Sequence, residues 1–238
     1  MFPDNNTLKF VFTVLTIVLL MFGTGVEAGL TLPDVGMVTM LDGPVTYTDG
    51  QGQKKPAQSF MKIRTNDRFI LTADSSIQLV FFGDGRKETW KGPLSLMIGD
   101  KNAFAEGTRD NKGPEVQAMP ESIASEVRRV AALIDSARLQ RTGSVTVRGK
   151  AGEDQGPIES MSLSSQENQV IEKARARYEE MLKETGAHDI TAELYFFSVL
   201  ADYDQFDQMK ELITVMRGKQ PDNSQIDLLS EWLNKQIL

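Results

Sequence analysis

The sequence predicts a two-part fold: an all-β module of short antiparallel strands, arranged as a roll or solenoid, followed by α-helical hairpins. Three observations carry this expectation. Between Val38 and Ile98 short apolar runs alternate with turn formers at a spacing too close for helices. From Ser164 onward apolar residues recur at helical spacing in four segments, each with its own start and stop signals. Between the two parts, residues 149–165 are rich in Gly, Ser, Glu and Gln and read as a linker. With 238 residues, 40% of them hydrophobic and 25% charged, the chain has the size and composition for packed cores. The expected segments are a leader at 1–28, the β module at 36–105, a bridge at 106–165 and the helical domain at 166–238.

Residues 10–22 form a thirteen-residue run whose polar content is threonine alone, preceded by Lys9 and followed by Val26-Glu27-Ala28. A short charged lead, a short apolar core and small residues at the end are the layout of a signal peptide, with cleavage expected after Ala28. A spanning helix needs about 20 apolar residues. The run reaches that length only with the glycines and threonines after Phe22, so an uncleaved inner-membrane anchor is the alternative reading. On either reading the rest of the chain is periplasmic or otherwise extracytoplasmic, and membrane contact requires an uncleaved leader.

In the β module, residues 38–41, 45–48, 69–72, 77–82 and 94–98 read as strands, and the chain returns through 86–90. Asp42-Gly43-Pro44, Asn66-Asp67, Gly83-Asp84-Gly85 and Gly92-Pro93 mark the turns. In 77–82, Ile77, Leu79 and Phe81 face one way and Gln78, Val80 and Phe82 the other. Both faces are largely apolar, so this strand is expected at the centre of a sheet. Asp84-Gly85 supplies the positive φ that a tight reversal needs.

Two stretches, GMVTMLDGPVTY (36–47) and NDRFILTADSSIQLVFFGDGRKETW (66–90), resemble the FecR domain of bacterial envelope proteins, over Gly36 to about Ile98. Asp67, Thr72, Ser76, Leu79, Phe81, Asp84 and Gly85 fill that family's places. Asn66 stands where glycine is usual, a substitution asparagine can bear because it tolerates left-handed backbone. The resemblance implies an extracytoplasmic module for protein or envelope interaction and no catalysis. Some family members regulate sigma factors through a cytoplasmic domain; nine residues precede the apolar run here, so that mechanism is not expected to carry over.

In the bridge, Ile123, Val127, Val130, Ala131 and Ile134 share one face of an amphipathic helix over 120–141, with Pro120 suited to its start. A strand-like run follows at 144–148. Arg128, Arg129, Arg138, Arg141, Arg148 and Lys150 make this the most basic part of the chain. Two readings stand: a surface for anionic lipid, lipopolysaccharide or an acidic partner, or a solvated face balanced by Glu121, Glu126 and Asp135.

The first C-terminal helix opens on a capping box, Ser164 with Glu167, and keeps Val170, Ile171, Ala174, Tyr178, Met181 and Leu182 on one face until Gly186. The second, capped by Asp189, is apolar nearly all round, with Tyr195 and Phe196 among its aromatics, and is expected to be central and buried. The third follows Asp204. The fourth follows Pro221-Asp222, with Gln225 completing a second capping box. Asp189 and Asp222 lie 33 residues apart, and Pro221 stands where a closing proline is placed, so the region resembles one tetratricopeptide repeat flanked by single helices. Phe196 and Phe197 depart from the small residues of that pattern. Such helix pairs stack into grooves for partner proteins; the other reading is a plain four-helix cap.

Composition narrows the chemistry. Lys plus Arg against Asp plus Glu runs 1 to 2 over residues 1–28, 17 to 17 over 29–165 and 8 to 14 over 166–238, so acidity is concentrated in the helices. No long basic stripe is available to displace counterions from phosphates, and nucleic acid is not an expected partner. Without cysteine there are no thiolate nucleophiles, disulfides or cysteine metal sites. His188 is the single histidine, expected in a loop, which rules out His-based triads and multi-histidine metal sites. Ser59 and Lys62 have Ser-x-x-Lys spacing without its companion motifs. No cofactor or metal is expected.

The function expected from the sequence is that of an exported, non-enzymatic envelope protein mediating protein–protein interaction or assembly. One alternative is an envelope module binding glycan or lipid, peptidoglycan included, through Trp90, Lys91 and the bridge arginines. Another is a carboxylate-based hydrolase. Trp90, Lys91, Arg128, Arg129, Arg138, Arg141, Tyr195 and Phe196 are the expected interaction surface.

Overall fold

One strand organises the protein, because apolar side chains leave it on both faces. Ser76–Phe81 (β6) places Ile77, Leu79 and Phe81, each with no exposed surface, against a second sheet. Val80, and Phe82 just beyond the strand, pack instead among helices. The expected central position is what the structure has. The structure is a computed structural model that describes residues 32–107, 113–141 and 163–237. The expected leader, the strand-like run at 144–148, Lys150 and most of the linker lie outside those residues.

Among the described residues the chain forms ten strands and then five helices, so the expected order of a β part followed by an α part is seen. The strands are Asp34–Asp42 (β1), Val45–Thr48 (β2), Lys54–Pro56 (β3), Lys62–Arg64 (β4), Arg68–Leu71 (β5), β6, Arg86–Lys91 (β7), Leu94–Ile98 (β8), Ala103–Glu106 (β9) and Glu115–Ala118 (β10). They form two antiparallel five-stranded sheets, ordered β10-β7-β6-β1-β4 and β3-β2-β5-β8-β9. Side chains alternate along each strand. Val38, Phe69, Leu79, Phe81 and Leu96 therefore meet between the sheets as one core. At about 25 cal/mol per Å² of apolar area, each such side chain contributes about 2 kcal/mol when fully buried.

Asn66 adopts φ 72°, the left-handed backbone expected of an asparagine in a glycine's place. Gly85 has φ 67°, and a Cβ there would lie 2.2 Å from the Met119 carbonyl. Only glycine fits, and its carbonyl accepts the Met119 N–H at 2.7 Å, drawing the chain after β10 against the β6–β7 turn. Strands β3, β4, β9 and β10 were not foreseen. They are three or four residues long, too short to repeat a period-two signal, and β3 has no apolar alternation at all.

The helices are Glu121–Arg141 (α1), Ser165–Leu182 (α2), Thr191–Asp202 (α3), Phe206–Lys219 (α4) and Ser224–Ile237 (α5). Pro120 stands just before α1 and its carbonyl accepts the first helical N–H groups. Ile123, Val127, Val130, Ala131 and Ile134 are buried on one face, as the spacing predicts. The helix expected in a bridge packs on α3 and α5 and shares their core. Helix α3 is the buried, central one, packed by α1, α2 and α4. Met37, Phe60, Val80 and Phe82 from the strand part join the same cluster, so the first sheet is sandwiched between the second sheet and the helices.

The Ser164–Glu167 capping box forms in both directions, at 3.2 and 2.7 Å. The other two caps differ from expectation. Ile190 is the N-cap of α3, and Asp189, one residue earlier, still accepts the Thr191 N–H at 2.8 Å. No box forms between Asp222 and Gln225. Helix α5 begins at Ser224, so Asn223 stands in the capping place and accepts the Gln225 N–H at 3.1 Å.

Candidate functional site

Alternation along β7 sends Glu88 and Trp90 into the sandwich and leaves Lys87 facing the helices. There its Nζ meets Asp189 Oδ2 at 2.6 Å, with only 6% and 3% of the two side chains exposed. Gln78, the polar residue on the helix side of β6, donates to the same carboxylate at 3.2 Å and accepts from the Thr39 hydroxyl at 2.7 Å. Burial alone would push the Asp189 carboxyl up; the Lys87 ammonium and the bonds from Thr191 outweigh it and hold the carboxyl below its ordinary range.

The polar seam continues into the helices. Lys219, at the end of α4, donates to the Asp189 carbonyl at 3.0 Å and lies 2.8 Å from Glu193 Oε1. Glu193 has no exposed surface, and neither of its oxygens accepts a hydrogen bond of good geometry, so Lys219 holds it by charge. Burial and the neighbouring Glu193 push the Tyr178 phenol up to about 12. Gln220 then ties three elements together. It donates to the Thr39 carbonyl of β1 at 3.1 Å and to the His188 carbonyl at 2.7 Å, and accepts from Asn223 at 2.8 Å.

Where this seam reaches the surface it opens into a cleft of about 450 Å³ lined by residues 41–43, 57–59, 188 and 219–225. The β1–β2 turn and the loop before β4 make one wall, and the α4–α5 turn makes the other. Asp42, Asp222, Gln58, Ser59 and His188 bring carboxylates, an amide, a hydroxyl and an imidazole to it. His188 is exposed, in a loop as expected, and its Nδ1 lies 2.9 Å from the Lys219 carbonyl. Lys219, the cation of the lining, is committed to Glu193 and Asp189. The cleft thus offers polar contacts of both kinds with an acidic bias, suited to a polar ligand or a loop of a partner.

The residues expected to form an interaction surface are dispersed. Trp90 is a correction: pairing with Ile77 across β6 and β7 turns its ring into the sandwich, where it is 4% exposed and donates to Glu88 Oε2 at 2.8 Å. Phe196 is likewise buried, at 2% exposure, stacked on Tyr178 at 5.2 Å with the Arg175 guanidinium over it. Tyr195 is half-buried, and Lys91 is exposed. Arg128 is exposed over the Phe82 ring, Arg129 pairs with Glu126 and Asp202, and Arg138 pairs with Asp135 and Gln225. Arg141 closes α1. Arg129 and Arg138 are balanced by neighbouring carboxylates, and neither they nor Arg128, Trp90, Lys91, Tyr195 or Phe196 line the cleft.

Ser59 lines the cleft, but its spacing partner Lys62 bridges Asp135 at 2.6 Å and Asp34 at 3.3 Å. Burial pushes the Lys62 ammonium down, and hydrogen bonding and charge from these carboxylates more than offset it, so its affinity for its proton is raised. Among the described residues no group of three or more His, Asp or Glu is placed to hold a metal ion. The sequence marked Asp42 as a turn former, Pro221 as a repeat-closing proline and Asp222 as a helix cap, and nothing in it signalled Lys219 or Gln220.

No helix among the described residues is long and apolar enough to cross a membrane. No protein family matches the chain, and no curated protein is similar to it. One solved structure, described as a cell surface anchoring domain, is 23% identical over an alignment covering 28% of this chain and 86% of that one, with a TM-score of 0.26. A likeness so slight bears on neither fold nor function.

Proposed function

We propose that this chain is an exported, non-enzymatic interaction protein of the bacterial envelope, in which a FecR-like strand part and tetratricopeptide-like helices form one scaffold that presents the seam cleft to a partner. The leader layout supports the address, and the motifs at 36–47 and 66–90 support the FecR-like reading. The observation that carries the interaction reading is the cleft, whose walls come from both parts of the chain. A scaffold that builds a recognition surface from two elements far apart in sequence uses their mutual packing to hold it rigid, which lowers the ordering cost of binding.

The test is affinity capture from an envelope fraction with the mature chain and with an Asp42→Arg plus Asp222→Arg variant. A partner held by the first and lost by the second, in a protein found outside the cytoplasm, is the expected result. Equal capture by both removes the cleft from the function. Turnover of a cell-wall substrate by the purified chain overturns the non-enzymatic reading, and a leader-bearing chain in the cytosol overturns the address.

A further inference from the structure

We infer that the buried polar chain Lys87–Asp189–Lys219–Glu193, flanked by Gln78 and Gln220, is a register lock that holds the helical layer in one position on the first sheet and thereby keeps the cleft formed. The lock goes beyond the binding proposal and holds whatever enters the cleft.

The apolar contacts between the two layers select a register only through side-chain shape. Met37, Val80 and Phe82 offer the helices a largely apolar sheet face, and apolar burial is non-directional. The polar chain has no such tolerance. A displacement of one strand residue, about 3.3 Å, separates Lys87 Nζ from Asp189 Oδ2, now 2.6 Å apart. It leaves both charges buried and unpaired, the costly arrangement in a protein interior. Lys219 and Glu193 both belong to the helical layer and move with it, so what a displacement breaks is the Lys87–Asp189 pair together with the Gln78 and Gln220 hydrogen bonds between the layers.

Gln220 carries the lock to the rim. Its hydrogen bonds to Thr39 and His188 join β1, the α2–α3 loop and the α4–α5 turn, the segments that lead into both cleft walls. Buried polar contacts that add little net stability yet select one arrangement are a known use of such groups. Here they join residues 102 and 181 positions apart.

The experiment compares amide hydrogen exchange and thermal unfolding of the full chain and three variants: Lys87→Met with Asp189→Leu, Gln220→Met, and the surface control Arg129→Gln with Asp202→Asn. The paired seam variant removes both charges together but leaves the Gln78 amide and the Thr191 N–H without the acceptor that Asp189 supplies, so a modest fall in unfolding temperature is expected. Exchange at residues 39–43, 186–190 and 219–225 is expected to rise about tenfold, with the second sheet unchanged, as loosening confined to the docking requires. Gln220→Met is expected to speed exchange at the same three segments by a smaller factor, and the control to leave them unchanged. Wild-type exchange at all three segments in both seam variants overturns the lock and assigns the register to apolar packing. Exchange raised uniformly over the chain also overturns it, since that reports stability and not docking. Should the paired variant fail to fold, Gln220→Met decides on the same criteria.

Discussion

Replacing Lys87 by alanine removes one half of an ion pair whose other half cannot reach water. Asp189 is 3% exposed, and its remaining donors are the Gln78 amide at 3.2 Å and the Thr191 N–H at 2.8 Å. Breaking a buried pair in this way costs about 3 to 5 kcal/mol. For a chain of this size about 1 kcal/mol lowers the unfolding temperature by about 2 to 4 °C, so a drop of about 6 to 20 °C is expected. Denaturant unfolding at several pH values checks the electrostatic origin. In the wild type the Asp189 carboxyl lies below its ordinary range. Its stabilisation is therefore present above the unfolded value near 3.9 and is lost as pH falls through the folded one. In the variant the carboxyl keeps its burial and loses the ammonium, so its pKa rises and the native state binds a proton at a pH where the unfolded chain does not. The variant therefore gains stability on acidification from pH 7 toward about 4, and the gap to wild type narrows. A gap below about 1 kcal/mol at pH 7, or one that does not change with pH, refutes the reasoning, because either shows that Asp189 had other means of solvation.

Other substitutions probe the two cores and the caps. Leu79→Ala empties a fully buried site between the sheets and is expected to cost about 2 to 5 kcal/mol, read from the denaturation midpoint. Trp90→Phe keeps a ring but strips one of the two hydrogen bonds to Glu88 Oε2, the other coming from Ala103 N–H at 3.1 Å; a loss of about 1 to 3 kcal/mol is expected. The same variant should leave binding to peptidoglycan or lipopolysaccharide unchanged, since the indole is inside the sandwich. Ser164→Ala removes one arm of the capping box and should cost about 1 kcal/mol, seen as faster amide exchange confined to the first turn of α2.

The major strands were legible because each repeats its signal every second residue. Ile77, Leu79 and Phe81 against Gln78, Val80 and Phe82 announced a strand covered on both faces, and both faces are covered. Asn66 in left-handed backbone and the reciprocal bonds of Ser164 and Glu167 were legible for the same local reason: the partner lies within three residues. Short edge strands such as β3, Lys54–Pro56, were not, since three exposed residues carry no periodicity and pair only because β2 is there. Trp90 shows the limit of reading a single residue. An aromatic next to a lysine in a turn-rich stretch suggests a ligand platform, but the face it occupies depends on strand register.

What the amino-acid order determined by itself was the succession of strands and helices, the two-faced character of β6 and of α3, and the absence of thiol or multi-histidine chemistry. These follow from neighbours a few positions apart, where covalent geometry fixes which side chains share a face. What the tertiary structure alone decided was that the helix after the strands joins the C-terminal helices, that the whole layer docks on the first sheet, and that Lys87 meets Asp189 and Gln220 meets Thr39. Those pairings span 102 and 181 positions. A charged residue in sequence reads as solvated, and only the closing of two layers around it turns it into a buried partner.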